Sequence, residues 1–152
     1  MKPLFLAVMY LGNSAYQIGT EVKNASAGLH SALITLSRGS GATDEFVDEM
    51  TSLATPDRVP ARSTLVTFAT QLAAGINGKD LTKTQLKDLE YCIRAVLRGS
   101  LPNHVSVQRL KTVLMDLSIT GTQLQSICRS AMAIAEEVRG PDDIRVKRPS
   151  FR

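Results

Sequence analysis

Apolar residues recur at helical spacing along most of this chain. Between residues 62 and 138 they lie three or four positions apart in four successive stretches, with polar residues between them. Such stripes are typical of amphipathic helices that bury one face against their neighbours. No segment shows the sustained alternation of apolar and polar residues that indicates a β-strand. The pattern therefore predicts an all-helical fold.

Two further helices are predicted before residue 62. Residues 21–37 carry apolar positions at helical spacing and end at the glycine-rich break 38–41. A shorter stretch then begins at Thr43 or Asp44, either of which can cap a helix, and it continues to Leu53. Two prolines follow within seven residues and separate this stretch from the four helices of the second half.

One six-residue phrase opens two of these four helices. Residues 81–86 read LTKTQL, and residues 119–124 read ITGTQL, 38 positions later. In each copy a threonine (Thr82 or Thr120) is followed three positions later by a glutamine, which predicts a capping box, and the flanking aliphatic residues predict a hydrophobic staple. Asn103 is predicted to cap the helix that lies between the two copies.

The spacing of the predicted helices indicates how they pack. Helix starts near residues 62, 82, 103 and 120 recur every 17 to 21 residues, so the connections are short. Short connections make consecutive helices antiparallel neighbours. The 38-residue repeat is then a duplicated helix hairpin, and two copies are too few for a free-standing solenoid. We therefore predict an antiparallel helical bundle of four or more helices, formed by residues 16–138.

Composition and charge narrow the range of functions. Only 5% of the 152 residues are aromatic and tryptophan is absent, so aliphatic residues must fill the core and stacking platforms for bases are scarce. The formal net charge is +4. Residues 139–152 contain five basic and two acidic residues, a net charge of +3, which leaves +1 for the rest of the chain. The basic character therefore lies in the C-terminal segment.

Residues 139–152 are predicted to form an extended, flexible basic tail, because they contain two prolines and no helical stripe. Their charges suit weak, salt-sensitive contact with nucleic acid or with an anionic membrane. Alternatively, the tail docks onto a protein partner through its apolar side chains. The residues predicted to contact a partner or an anion are Arg145, Lys147, Arg148, Phe151 and Arg152.

The first 15 residues have the layout of a secretory signal peptide. A single lysine precedes the apolar run 4–12, and small residues follow up to Ala15. The run is too short to cross a bilayer, which needs about 20 apolar residues. We favour export to the periplasm or the extracellular space. The alternative is an apolar first helix of a cytoplasmic protein, packed into the bundle, a partner or a membrane.

Two cysteines and two histidines are the remaining residues that could form a disulfide or bind a metal. Cys92 and Cys128 each lie on the apolar stripe of their helix, which indicates two buried thiols. The alternative is an interhelical disulfide between them, which export would favour. Neither His30 nor His104 lies at metal-binding spacing from another ligand, so no metal site is predicted.

The sequence carries no glycine-rich phosphate loop and no nucleophile elbow of the G-x-S-x-G type. These absences disfavour phosphoryl transfer, dinucleotide chemistry and metal-dependent hydrolysis, and they imply no cofactor and no small-molecule ligand. The alternative is an enzyme with a cryptic cysteine or serine nucleophile, that is, one that lies in no recognisable sequence motif.

Residues 71–85 (QLAAGINGKDLTKTQ) and the two helices that follow resemble small exported bacterial helical proteins. Those chains pair an apolar leader with a helix, a Gly-Lys pair, a Leu-Thr-x-x-Gln phrase and a second helix. The resemblance covers about half of the chain, residues 62–138. It implies a helical fold and export, and it supplies no activity or site residue.

These observations together predict a non-enzymatic protein that presents a helical face to a protein partner or to a second copy of itself. Binding of nucleic acid or an anionic membrane through the basic tail is the second hypothesis. The third is the cryptic cysteine or serine nucleophile.

Overall fold

Six helices and no strand are found in the part of the chain that the structure describes. The structure is a computed structural model, and it describes residues 28–39 and 43–141. Residues 28–37 are helical and are called α1. The other helices are α2 (Thr43–Leu53), α3 (Arg62–Ile76), α4 (Lys83–Arg98), α5 (Asn103–Asp116) and α6 (Gly121–Arg139). The predicted all-helical fold is confirmed for these residues.

The first copy of the repeated phrase forms the predicted capping box at the start of α4. The Thr82 hydroxyl accepts a hydrogen bond from the Gln85 backbone N–H at 3.1 Å. The Gln85 side chain in turn accepts one from the Thr82 N–H at 2.9 Å. These reciprocal bonds satisfy two backbone N–H groups that would otherwise lack a partner. The predicted start of this helix is therefore confirmed.

The predicted capping box at the second copy is wrong. Thr120 makes no side-chain capping bond at the start of α6. The two phrases differ at their third position, where Gly121 replaces the lysine of the first copy and adopts φ +66°. This left-handed conformation at the first residue of α6 is open to glycine and unfavourable for lysine, so the two helices start with different backbones. The aliphatic residues Ile119 and Leu124 are nevertheless buried.

The two threonines should therefore contribute differently to stability. We expect Thr82→Ala to lower the free energy of unfolding by about 1 kcal/mol, since it removes the capping bond to Gln85. We expect Thr120→Ala to change it by less than about 0.5 kcal/mol, as is usual for an exposed position. Urea unfolding followed by circular dichroism measures both. Equal losses would contradict the difference between the two caps.

The prediction that Asn103 caps α5 also needs correction. Pro102 occupies the N-cap position, and no side-chain capping bond is formed there. Asn103 is instead buried, and its amide Nδ2 donates a hydrogen bond to the Gly140 carbonyl at 2.7 Å. The residue thus ties the start of α5 to the end of α6.

Helix α6 lies at the centre of the packing. It contacts α3, α4 and α5, and α4 also contacts α2 and α5. Consecutive helices pack together as predicted for the pairs α4–α5 and α5–α6, but α3 packs on α2 and α6 and not on α4. The repeat is therefore not a duplicated hairpin of equivalent helix pairs. Contact between α3 and α6 joins the first and last of the four helices and closes the array.

A glycine explains why α3 can lie so close to α6. Gly75 is buried in α3, and a Cβ atom placed on it would lie 3.0 Å from Ile127 Cδ1 and 3.3 Å from Ile119 Cδ1. The same Cβ would lie 3.9 Å from Cδ of Gln123, the glutamine that fails to form the second capping box. The absence of a side chain at Gly75 thus leaves room for both isoleucines.

One apolar core runs through all six helices. Phe46 of α2 and Phe68 of α3 stack with their ring centroids 6.5 Å apart. In α1 the buried side chains follow helical spacing, and the Gly78 N–H donates to the Ser37 carbonyl at 2.7 Å, which joins the end of α1 to the loop after α3. The largest fully buried side chains are Phe46, Phe68, Leu29, Leu33, Leu36, Met50, Leu65, Leu72, Ile76, Leu89, Ile93 and Leu97.

Candidate functional site

An open groove lies between α4 and α5, and a large aromatic side chain stands at its edge. Tyr91 is 52% exposed although it sits in the middle of α4. The groove has a volume of about 290 Å³. It is lined by Asp88, Tyr91, Cys92, Arg109, Thr112 and Val113. A half-exposed tyrosine beside apolar and charged neighbours is the composition typical of protein–protein contact sites.

Helical spacing on the two helices produces this lining. Asp88, Tyr91 and Cys92 are three or four residues apart on α4, so they share one edge of that helix. Arg109 and Val113 are likewise four apart on α5, which packs against α4. Among the described residues, no ion pair within 4.0 Å joins Asp88 or Arg109 to an opposite charge. The groove thus offers one acidic and one basic group that are not neutralised by a direct ion pair there.

The Cys92 thiol lies in this groove and is not activated. Its pKa is raised from 9.0 to about 11, mainly by burial and also by the nearby Asp88 carboxylate, whereas Arg109 acts in the opposite direction. A nucleophilic cysteine needs a lowered pKa, because the thiolate is the reactive form. These surroundings give no support to the hypothesis of a cysteine nucleophile at this position.

Cys128 lies in a different groove, between α5 and α6, that is lined by Lys111, Gln125 and Arg129 among others. Burial raises the pKa of this thiol too, although Lys111 opposes the shift. Both cysteines are free thiols in the structure. The two side chains line different grooves, so the structure gives no support to the alternative of a Cys92–Cys128 disulfide. Cys92 is buried as predicted, whereas Cys128 is half-buried.

The raised pKa of Cys92 predicts a pH dependence of stability. With a pKa of 9.0 in the unfolded chain and about 11 in the folded one, the folded protein binds this proton more tightly. The resulting stabilisation is complete below pH 9 and is lost as the pH rises through 11. We expect wild type to lose more stability than Cys92→Val between these pH values in urea unfolding. Parallel losses in the two proteins would contradict the prediction.

The structure also pairs His30 with Glu90, two residues that the sequence did not connect. His30 Nδ1 of α1 lies 2.9 Å from Glu90 Oε2 of α4, and Glu90 is buried. The sequence does contain a signal, since Glu90 lies four residues after Leu86 and three before Ile93, on the apolar stripe. An acidic residue on a buried stripe needs a hydrogen-bonding partner. His104, the other histidine, is exposed at the start of α5.

A second groove, between α3 and α6, is lined mainly by serine and threonine residues. The Ser130 hydroxyl in this groove hydrogen-bonds to the Gln71 side-chain oxygen and to the Ser126 carbonyl. Neither partner is a base that could activate a serine, because both are amide oxygens. These contacts give no support to a serine nucleophile at Ser130.

Several predicted site residues lie outside the described ranges. These are the five tail residues Arg145, Lys147, Arg148, Phe151 and Arg152, and the apolar segment 1–15 lies outside them as well. Within the described ranges, no cluster of three or more His, Cys, Asp or Glu side chains is arranged to hold a metal ion. Nor does any helix there combine the length and the hydropathy needed to cross a bilayer.

Comparison of the chain with protein-family models, with curated proteins and with solved structures gives no match.

Proposed function

We propose that this protein is a non-enzymatic helical interaction module that binds a second copy of itself through the groove between α4 and α5. The observation that carries the proposal is the half-exposed Tyr91 at the edge of that groove. Tyrosine is enriched among the residues that dominate binding energy, because its ring buries much area at little entropic cost and its hydroxyl keeps a polar partner.

Charge complementarity favours a second copy as the partner. Asp88 lies on the α4 side of the groove and Arg109 on the α5 side. In a two-fold symmetric dimer each surface meets its own copy, so a residue of one subunit faces a different residue of the other. Asp88 of each copy can then face Arg109 of the partner subunit, which gives two equivalent ion pairs around the tyrosines.

The expected association is weak. Stable interfaces bury about 800 Å² on each partner, which exceeds what a single groove with one aromatic anchor provides. Such an anchor is worth about 2 kcal/mol or more. We therefore expect a reversible dimer that dissociates on dilution.

Sedimentation velocity over a range of protein concentrations tests this function. The sedimentation coefficient of the wild type should rise with concentration, and Tyr91→Ser should remove the rise. Val59→Ser is the matched control, because Val59 is also an exposed apolar residue but lies in the loop between α2 and α3. A wild type that stays monomeric, or equal loss in both variants, would contradict self-association through this groove.

The basic tail supports the second hypothesis, binding of nucleic acid or an anionic membrane, through its net charge of +3. A protein truncated after residue 141 keeps Arg139 and the Gly140 carbonyl that Asn103 contacts. It should then lose binding to nucleic acid and to anionic vesicles at low salt and keep its helical spectrum. The self-association proposed above does not require the tail, so the truncated protein should still form dimers.

A further inference from the structure

Three arginines from three parts of the fold line one polar cavity. The cavity has a volume of about 430 Å³ and lies where the chain leaves α4 and α6. Its basic residues are Arg58 in the loop between α2 and α3, Arg98 at the end of α4 and Arg139 at the end of α6. Gly99 brings the two helix ends together, because a Cβ atom there would lie 3.0 Å from Val138 Cγ1 and 3.4 Å from Arg139 Cγ.

Each arginine is held by a backbone carbonyl of another element. Arg98 Nε donates to the Leu53 carbonyl at the end of α2 at 2.6 Å. Arg58 Nη1 donates to the Val138 carbonyl near the end of α6 at 2.9 Å. Arg139 Nη1 donates to the Gly99 carbonyl just after α4 at 3.3 Å. These bonds link the three helix ends and position three guanidinium groups around the cavity.

The hydrogen bonds to backbone carbonyls use only some of the N–H donors of the three guanidinium groups. A guanidinium has five N–H groups, and each of the three contacts described above occupies one of them. Among the described residues, none of the three groups lies within 4.0 Å of a carboxylate, although Asp57 also lines the cavity. Like charges have therefore been brought together without a direct counter-ion.

The charge balance shows how strongly an anion would be attracted. Three guanidinium groups carry three positive charges, and the three helix ends that they contact contribute about −0.5 each. Asp57 contributes one further negative charge, so the net positive charge is small. Directional hydrogen bonds from prepositioned guanidinium groups must then supply most of the binding, and planar forks of this kind match phosphate oxygens.

We infer that this arginine cavity binds the phosphate group of a small molecule. A volume of about 430 Å³ falls in the usual range for small-ligand pockets of about 300–1,000 Å³. This inference goes beyond the proposed self-association and departs from the sequence-based expectation that no small-molecule ligand is implied. Because the three arginines are exposed, we expect weak binding, with a dissociation constant of about 1 mM.

Nuclear magnetic resonance titration with inorganic phosphate and pyrophosphate tests the inference, with chloride at matched ionic strength as the reference. We expect saturable shifts of the Gly99 and Gly140 amide signals, since both residues lie at the helix ends around the cavity. Arg58→Gln and Arg139→Gln should abolish saturation. Arg129→Gln, which removes an exposed arginine from the groove between α3 and α6, should leave the shifts unchanged.

One further variant keeps the test decisive if an arginine substitution weakens the fold. Asp57→Asn should tighten phosphate binding a few-fold, because it removes a negative charge from the cavity. Absence of saturable binding in the wild type would overturn the inference.

Binding to vesicles that contain phosphatidic acid separates a small ligand from a lipid headgroup. Arginine-dependent binding to such vesicles without any binding of free phosphate or pyrophosphate would also overturn the inference. Amide signal shifts that grow linearly with phosphate concentration, and that are equal in the wild type and in Arg58→Gln, would show ionic screening alone. This result would also overturn the inference.

Discussion

Replacing Phe68 by alanine is expected to lower the free energy of unfolding by about 3–5 kcal/mol. Phe68 is buried in α3, and its ring stacks on Phe46 of α2 with the centroids 6.5 Å apart. The substitution removes the apolar contacts of the ring and leaves a cavity between two helices that cannot collapse fully. Because a domain is usually stable by only about 5–15 kcal/mol, this loss is a large share of the total.

Urea unfolding followed by circular dichroism measures the effect of Phe68→Ala. Val66→Ala is the matched control, since Val66 lies two residues away on the same helix but is exposed. It should change the free energy of unfolding by less than about 1 kcal/mol. Similar losses for the two variants would show that α3 does not bury the face assigned to it.

A valine at position 75 should destabilise the fold by about 2–3 kcal/mol, by overpacking the contact between α3 and α6. The Cβ atom alone would lie 3.0 Å from Ile127 Cδ1 and 3.3 Å from Ile119 Cδ1. Valine adds two methyl groups beyond that atom. The gain in helix propensity over glycine offsets only a few tenths of a kcal/mol.

Two comparisons separate this clash from a general effect of valine in a helix. Ala74→Val places the same side chain at the neighbouring, exposed position of α3 and should have little effect on the denaturation midpoint. In the double variant Gly75→Val, Ile127→Ala the loss should be smaller than the sum of the two single losses, because Ile127→Ala opens space for the valine at the contact. If the double variant shows the two losses simply added, α3 and α6 are not packed in this way.

Local signals account for what the sequence predicted correctly. The start of α4 was predictable because the capping box lies within four residues, so nothing distant decides it. Gly99 and Gly140, which follow the ends of α4 and α6, are equally local features, and both have positive φ. Apolar spacing likewise identified most of the core, because side chains on one stripe of a helix share its burial.

The sequence-based predictions are wrong where distant contacts or a single residue override a local sequence motif. Gly121 gives the first residue of α6 a positive φ, and the second copy of the phrase forms no capping box. The partners of α3 depend on shape, because Gly75 lets this helix pack on α6 instead of on the consecutive helix α4. The two copies of the repeated phrase therefore do not produce two equivalent helix packings.

Less of the candidate site than of the fold could be predicted from the sequence. Tyr91 could not be identified from the sequence, because its exposure depends on how α4 and α5 pack, and no motif surrounds it. The pairing of His30 with Glu90 joins residues 60 positions apart. The arginine cavity joins three elements through single hydrogen bonds, and it could be found only once the helix ends were placed together.

A charge-exchange experiment tests the proposed contact face most directly. Asp88→Arg and Arg109→Asp should each remove the concentration-dependent rise in the sedimentation coefficient, because each places like charges across the symmetric interface. Mixing the two variants should restore association, since every contact between the unlike subunits then joins opposite charges. Failure of the mixture to associate, when the wild type does, would contradict the assignment of this groove as the self-association surface.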